Sequence, residues 1–168
     1  MDMTSLQDLY LNELRDVLNA ENQILKALPK MARKASSPEL SQAFEEHLEQ
    51  TRQHVQRLNR IFQNLGQTPR SRKCKGMEGI IEEGKDFMDE ADSEQVLDAG
   101  LIATAQRVEH YEIAVYGTLR TYAQLLGDEE AARLLQQTLD EEGETDKKLT
   151  RLAESGINIE AKQAETDA

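Results

Sequence analysis

The sequence predicts an all-α protein: four long amphipathic helices in a bundle, with one long crossover that carries a short extra helix. Three observations predict it. Leu, Ala, Glu and Gln abound while Trp is absent and Pro occurs 3 times, a balance that suits helices and not sheets. Apolar residues recur three, four and seven apart along four long stretches. Two connections are short and punctuated, at Ser36-Ser37-Pro38 and Gly127-Asp128, and one is long.

The first helix runs from about Ser5 to Ala35, with Leu6, Tyr10, Val17, Ile24 and Leu28 on one face. Pro29 removes one backbone bond and is expected to kink it near its end. Ser37 caps the second helix and Pro38 takes its first position. Phe44, Leu48, Val55, Leu58 and Phe62 form the second stripe, which stops near Leu65-Gly66 with Pro69 beyond. A basic loop, TPRSRKCKG, follows, then a short helical piece from about Met77 to Met88. Asp92-Ser93 caps a third long helix, about Glu94 to Leu126, striped by Leu97, Leu101, Ala105, Val108, Tyr116, Leu119 and Leu126. The fourth runs from about Glu129 to Ala153, with Leu134, Leu135, Leu149 and Leu152, and Gly156 is expected to close it. Two short turns make two antiparallel hairpins, and one long crossover between them is the ferritin-like arrangement. Residues 1–155 are assigned to this bundle and 156–168 to a polar, frayed tail.

With 20 Lys plus Arg against 32 Asp plus Glu, the net charge is −12. That excess argues against nucleic acid and anionic membrane surfaces as partners. No apolar run of about 18 residues is present, so no membrane span is expected. The start, MDMTSLQDLYLNELRD, carries acids where a signal peptide needs a basic start and an apolar run. One cysteine, Cys74, excludes an internal disulfide and points to a reducing cytoplasm.

Ordinary bundle cores exclude carboxylates, because an unpaired buried charge is very costly. Placed at 100° per residue, Glu142 falls in the middle of the Leu135–Leu149 stripe, flanked by Thr138 and Thr145, with Asp146 at its edge. Glu112 falls between Val108 and Leu119, with Glu109 one turn away. Glu21 and Glu13 touch the first stripe. On the second helix the centre is Thr51, with His47 and His54 on one flank. Glu21, Thr51, Glu112 and Glu142 each lie about 15 residues from their turn, roughly 23 Å at the helical rise. They therefore fall in one layer. The spacing also repeats: Glu21 to Thr51 and Glu112 to Glu142 are both 30 residues. In each half a polar residue follows three later, His54 or Thr145.

Bundle-core di-metal sites take one Glu from each of two helices and Glu-x-x-His from the other two. Here no Glu-x-x-His exists. Thr51-x-x-His54 lacks the carboxylate and Glu142-x-x-Thr145 lacks the histidine, with Asp146 a candidate substitute. Glu109-x-x-Glu112 adds a carboxylate. The candidate ligands are Glu21, His54, Glu109, Glu112, Glu142 and Asp146. An oxygen-rich set suits Fe, Mn, Mg or Ca better than Zn or Cu. The alternative is a buried hydrogen-bonded network with Tyr10, Tyr116 or Arg107. His47 reads as a partly exposed flank residue, Glu13 as structural, and His110 as a surface or dimer-interface residue. The four tyrosines read as packing. Cys74 sits among cations that would lower its pKa if it is exposed. The loop around it is expected to pair with the acidic bundle.

The strings NELRDVLNAENQILKALPKMA, EEHLEQTRQHVQRL, VEHYEIAVYGTLRTYAQLLG and LDEEGETDKKLTRLAE resemble the YciF-like family, small bacterial ferritin-like proteins associated with stress responses. The resemblance runs from about Leu6 to Glu154. It implies a rubrerythrin-like bundle that works as a homodimer. Glu21 resembles the first-helix ligand of rubrerythrins, Glu109 and Glu112 their third-helix pair, and Glu142 with Asp146 their fourth-helix ligands. His54 stands where bacterioferritins place a histidine, and Thr51 where they place a glutamate. The implied activity is that of a stress protein with two Fe or Mn ions acting on peroxide or dioxygen. The alternative is a non-catalytic helical protein that keeps the fold and works through partners.

Overall fold

The computed structural model describes residues 3–164, so the last four residues of the tail assigned from sequence lie outside the described residues. Its elements are α1 (Leu6–Lys34), α2 (Pro38–Asn64), α3 (Lys75–Glu90), α4 (Glu94–Leu125) and α5 (Glu129–Leu152). A π-helical turn (Ala153–Ile157) then leads to α6 (Asn158–Gln163).

Side-chain caps begin each of the five main helices. Ser5 and Asp8 form a reciprocal capping box on α1, and Ser37, Cys74, Ser93 and Asp128 each accept a backbone N–H in the first turn of α2 to α5. Gly66 and Gly127 end α2 and α4 with positive φ (64° and 77°). There the N–H of the residue after the glycine reaches back, Gln67 to the Phe62 carbonyl and Asp128 to that of Ala123. α1 runs unbroken through Pro29.

α1 pairs with α2 and α4 with α5, and the two hairpins pack through α2 on α5 and α1 on α4. The crossover helix α3 lies against α4 and α1. Two apolar clusters fill the bundle. One holds Tyr10, Leu14, Phe62, Leu119 and Leu135. The other holds Ile24, Leu28, Phe44, Leu101 and Leu149. Between them, at mid-helix, lies the polar layer described below.

Asp98 of α4 is 4% exposed and holds the α1–α2 turn. It accepts from the Ser36 and Ser37 backbone N–H groups (both 2.8 Å) and from the Ser36 hydroxyl (2.7 Å). α3 approaches α4 closely: a Cβ on Gly84 would meet Thr104 at 2.4 Å, and one on Gly100 would meet the Phe87 ring at 1.9 Å.

The structure corrects or refines three sequence expectations. Gly156 does not close the last helix. The chain takes one wide turn there, in which the Asn158 N–H reaches the Ala153 carbonyl, and continues as α6 with Ile157 buried. The basic loop meets an acid at one point, where Lys73 pairs with Glu78 of α3 (2.8 Å), but it is tied to α1 by amides. Arg72 donates to Asn12, the Cys74 N–H to Asn19 (2.8 Å), and Gln23 to the Cys74 carbonyl (3.1 Å). Cys74 itself is buried, 3.0 Å from the Tyr111 hydroxyl, so the exposure under which the cations would lower its pKa is absent, and burial pushes its thiol up. Among the described residues no helix is long and apolar enough to cross a membrane.

Candidate metal centre

Six buried donors meet in the polar layer: Glu21 of α1, His47 and His54 of α2, Glu109 and Glu112 of α4, and Glu142 of α5. They form two groups whose donor atoms lie within 4.8 Å of one another. One is His47, Glu109, Glu112 and Glu142; the other is Glu21, His54 and Glu142. Glu142 belongs to both and lies between them.

The contacts inside the layer are close without being hydrogen bonds. His47 Nε2 lies 2.9 Å from Glu109 Oε1, and His54 Nδ1 lies 2.9 Å from Glu142 Oε1 and 3.4 Å from Glu21 Oε1. Yet neither His47 nitrogen nor His54 Nδ1 has a hydrogen-bond partner at proper angles. Glu21 Oε2, Glu109 Oε2, and both oxygens of Glu112 and Glu142 are likewise without one. Nine buried nitrogen and oxygen atoms of the layer thus lack hydrogen-bond partners. Native interiors leave few such atoms, because each costs about 1–3 kcal/mol, more when charged. In each group one nitrogen or oxygen from every side chain lies within 4.8 Å of the others, a spacing that suits ligation of a shared ion.

The surrounding contacts fix the donors. The Nε2 of His54 is 2.9 Å from Glu141 Oε2, and Arg57 grips Glu141 with both terminal nitrogens (2.7 and 2.8 Å). This chain holds the imidazole by its outer nitrogen and turns Nδ1 inward, the usual support of a metal-bound histidine. Tyr116 donates to Glu21 from the other side. The Thr51 hydroxyl donates to the His47 carbonyl (2.8 Å) one turn back on its own helix, so that position supplies no ligand.

The electrostatics follow from crowding four carboxylates out of water. Burial, together with Glu142, Glu21 and Glu109, pushes Glu112 well above the carboxylate range. Burial and the neighbouring Glu109 push Glu142 up to about 8. Burial, with Glu21 nearby, pushes Glu109 up to about 7. Burial opposes a charge on His54, but Glu141, Glu142 and Glu21 outweigh it and push its pKa up to about 11. Glu21 is brought below its ordinary value despite burial, by His54, Glu112 and Tyr116. Burial works against ionisation of Glu141 too, but His54 and Arg57 bring it down to about 2.

Of the six residues singled out from sequence, Glu21, His54, Glu109, Glu112 and Glu142 stand together. Asp146 does not. It is half-buried at the bundle flank, 3.2 Å from the exposed His110 Nε2, and accepts from Gln106 (3.2 Å). His47, read from sequence as a partly exposed flank residue, is 3% exposed and stands inside the cluster. The signal for it was present: His47 and His54 are seven apart, two helical turns, and so share a face. Tyr111 and Tyr116 are more than packing, since both hydroxyls bond polar partners.

The donor set fits a pair of divalent ions. Four carboxylates and two imidazoles equal the composition of the bundle di-metal pattern, with different helices supplying them. α2 gives two histidines and no carboxylate, and α4 gives two carboxylates.

Comparison with known proteins agrees with this architecture. Residues 5–162 match the profile of the family described as "Domain of unknown function (DUF892)". The chain is 45% identical to Protein YciF of Escherichia coli (strain K12) over 162 residues, 96% of this chain and 98% of that one. The crystal structure of the E. coli stress protein YciF superposes with a TM-score of 0.89 at 44% identity, covering 93% of this chain and 99% of that chain. YcfI from Rhodopseudomonas palustris superposes with a TM-score of 0.87 at 44% identity, covering 89% and 95%. A two-domain protein from Anabaena variabilis, with DJ-1/ThiJ/PfpI-like and ferritin-like domains, is similar in fold alone: TM-score 0.65 at 19% identity, over 92% of this chain and 38% of that chain.

Proposed function

The chain belongs to the DUF892 family, and we propose that it is a ferritin-like stress protein whose bundle centre binds two iron or manganese ions and reacts with peroxide or dioxygen. One observation carries the reading: six buried side chains from four helices bring metal-ligating atoms within 4.8 Å of one another in two groups, and nine of their nitrogen and oxygen atoms lack hydrogen-bond partners. His47, Glu109, Glu112 and Glu142 would hold one ion, Glu21, His54 and Glu142 the other, with Glu142 shared. The carboxylate excess favours Fe or Mn over Zn or Cu. When bound, such a pair supplies charge neutralisation for the carboxylates and open positions at which an oxidant is reduced.

The chain's own residues set the conditions for that chemistry. Arg57 and Glu141 hold His54 in one orientation. Tyr116, whose pKa burial and Glu21 push well above the phenol range, keeps its proton and donates it in a hydrogen bond to Glu21. The apolar clusters above and below the layer keep bulk water from its two ends along the bundle.

A second reading has one observation in its favour. His54 is bracketed by Glu21, Glu141 and Glu142, so an imidazolium there would balance part of the cluster without metal. The protein would then be a helical stress protein without redox chemistry. Mass-spectrometric metal analysis, on protein purified without chelator or affinity tag, separates the two. About two Fe or Mn per chain, lost in Glu112→Gln, is expected for the di-metal centre. No metal after anaerobic loading with Fe(II) or Mn(II) would leave the second reading.

A further inference from the structure

A cavity of about 330 Å³ opens beside the polar layer. Its walls come from Ile24 and Leu28 of α1, Phe44 of α2, Val108 of α4 and Met88 of α3. His47 and Glu109 close its inner end. Protein interiors are close-packed, with few voids larger than a water molecule, and this volume falls in the range of small-molecule sites. α3 is held over the opening by the close approaches at Gly84 and Gly100 and by buried Met77.

The outer lining has one sign of charge. Lys26 and Lys30 of α1 and Lys85 of α3 line the cavity from opposite sides, with Lys26 and Lys85 exposed and Lys30 half-buried. Among the described residues none of the three has a carboxylate within ion-pair distance, whereas Lys73, Lys147 and Lys148 each do. In a chain of net charge −12, three unmatched ammonium groups around one apolar opening form a local positive field.

We propose that this cavity binds an amphiphile with a single apolar chain and an anionic head, of the class of medium-chain carboxylates. The chain lies among Ile24, Phe44 and Met88, and the carboxylate sits at the mouth between Lys26, Lys30 and Lys85. The driving force is burial of methylenes, with the lysines selecting the sign of the head. The binding site does not depend on the metal reading. If that reading holds as well, the far end of the bound chain screens the His47–Glu109 edge from solvent.

Isothermal titration calorimetry tests this with the metal-free full chain in chelator, so that failure of the metal reading leaves the result intact. The ligands are hexanoate, octanoate, decanoate, decanol and decyltrimethylammonium, all below micelle formation. Saturable one-site binding of decanoate is expected, tightening about fourfold for each methylene added from hexanoate upward. Decyltrimethylammonium should bind at least tenfold more weakly. The triple variant Lys26→Glu/Lys30→Glu/Lys85→Glu should weaken decanoate at least tenfold and leave decanol unchanged. Ala27→Phe, at a lining position, should abolish binding of both. The three lysines are surface residues, so the triple variant decides the matter if Ala27→Phe fails to fold. Absence of saturable binding, equal binding of the cation, or decanoate affinity unmoved by the triple variant would each overturn the proposal. So would sedimentation showing a dimer whose contact covers the opening and is unaffected by decanoate.

Discussion

Replacing Glu112 by glutamine exchanges one oxygen for an NH2 group at a position from which solvent is wholly excluded. In the unfolded chain this carboxyl titrates near 4.5, while in the metal-free fold it keeps its proton well above that. Folding at a pH above 4.5 must therefore return a proton to it, at about 1.4 kcal/mol for each pH unit up to the folded value, so at most about 3.4 kcal/mol at pH 7. That ceiling is set by the solution pH, whatever the folded value. Glutamine carries no such cost, but buries an amide with poor partners, about 1–2 kcal/mol. The metal-free variant should thus be more stable than the parent by about 1–2 kcal/mol, or about 2–6 °C in Tm for a chain of this size. Added Mn(II) should invert the order. At a hundredfold excess over Kd a ligand that binds only the fold contributes about 2.7 kcal/mol, and the variant should lose most of it. Thermal and urea melts followed by circular dichroism, with chelator and with Mn(II), measure both. A variant less stable than the parent in chelator would refute the reasoning, because Glu112 would then be an ionised and satisfied carboxylate. Equal metal shifts in both proteins would remove Glu112 from the ligand set.

Metal-free stability should fall as pH rises from about 5 to 8. Glu142, with its folded value raised to about 8, and Glu109, raised to about 7, hold protons there that the unfolded chain has lost. The raised His54 adds to the trend, its contribution being full below its unfolded value near 6.5 and lost towards about 11. Glu141 works the other way, its contribution being lost only as pH falls from 4.5 towards about 2. Urea melts against pH in chelator should show this slope, and Mn(II) should reverse it, because ligands bind metal deprotonated. Arg57→Ala should weaken Mn(II) affinity about 10–100-fold by freeing Glu141 and His54, with little change in helix content, as a competitive chelator titration would show. Asp98→Ala removes the acceptor of three hydrogen bonds and should lower stability by about 2–4 kcal/mol while leaving metal stoichiometry unchanged.

Much of the layer was legible because helical geometry is nearly rigid. Glu21, Glu112 and Glu142 sit on apolar stripes at equal distances from their turns, and no ordinary core tolerates them. His47 was harder. A flank position on α2 reads as half-exposed until the neighbours of that flank are known, and here α4 and α5 close over it. Asp146 stands outside the cluster for the converse reason. It follows Glu142 by four residues and shares its side of α5, but at the stripe edge a few tens of degrees decide between the centre and the outer pairing with His110. The exchange of donors between helices was half legible. Thr51 and Thr145 read as losses and Glu109 as a gained carboxylate, whereas the place of His47 beside it appears only once four helices are assembled. Asp98 was missed because what it serves, the N–H groups of a distant turn, leaves no local pattern. The burial of Cys74, which raises its thiol, cannot be seen in a run of cations.

The wide turn at Ala153–Ile157 has a consequence for how the gene can change. A π turn is an α-helix with one residue too many, so deletion of a single residue there would let α5 and α6 fuse into one regular helix. The wide turn already absorbs the extra residue, so everything beyond the deletion would keep its rotation about the helix axis. The packing of α6 on α4 would survive. One codon lost from the middle of α5 would instead rotate all that follows by about 100°. The end of the bundle thus has one place at which a reading-frame-preserving deletion is absorbed. Loss of the codon for the exposed Glu154 or Ser155 should be tolerated, whereas loss of one in mid-α5 should not.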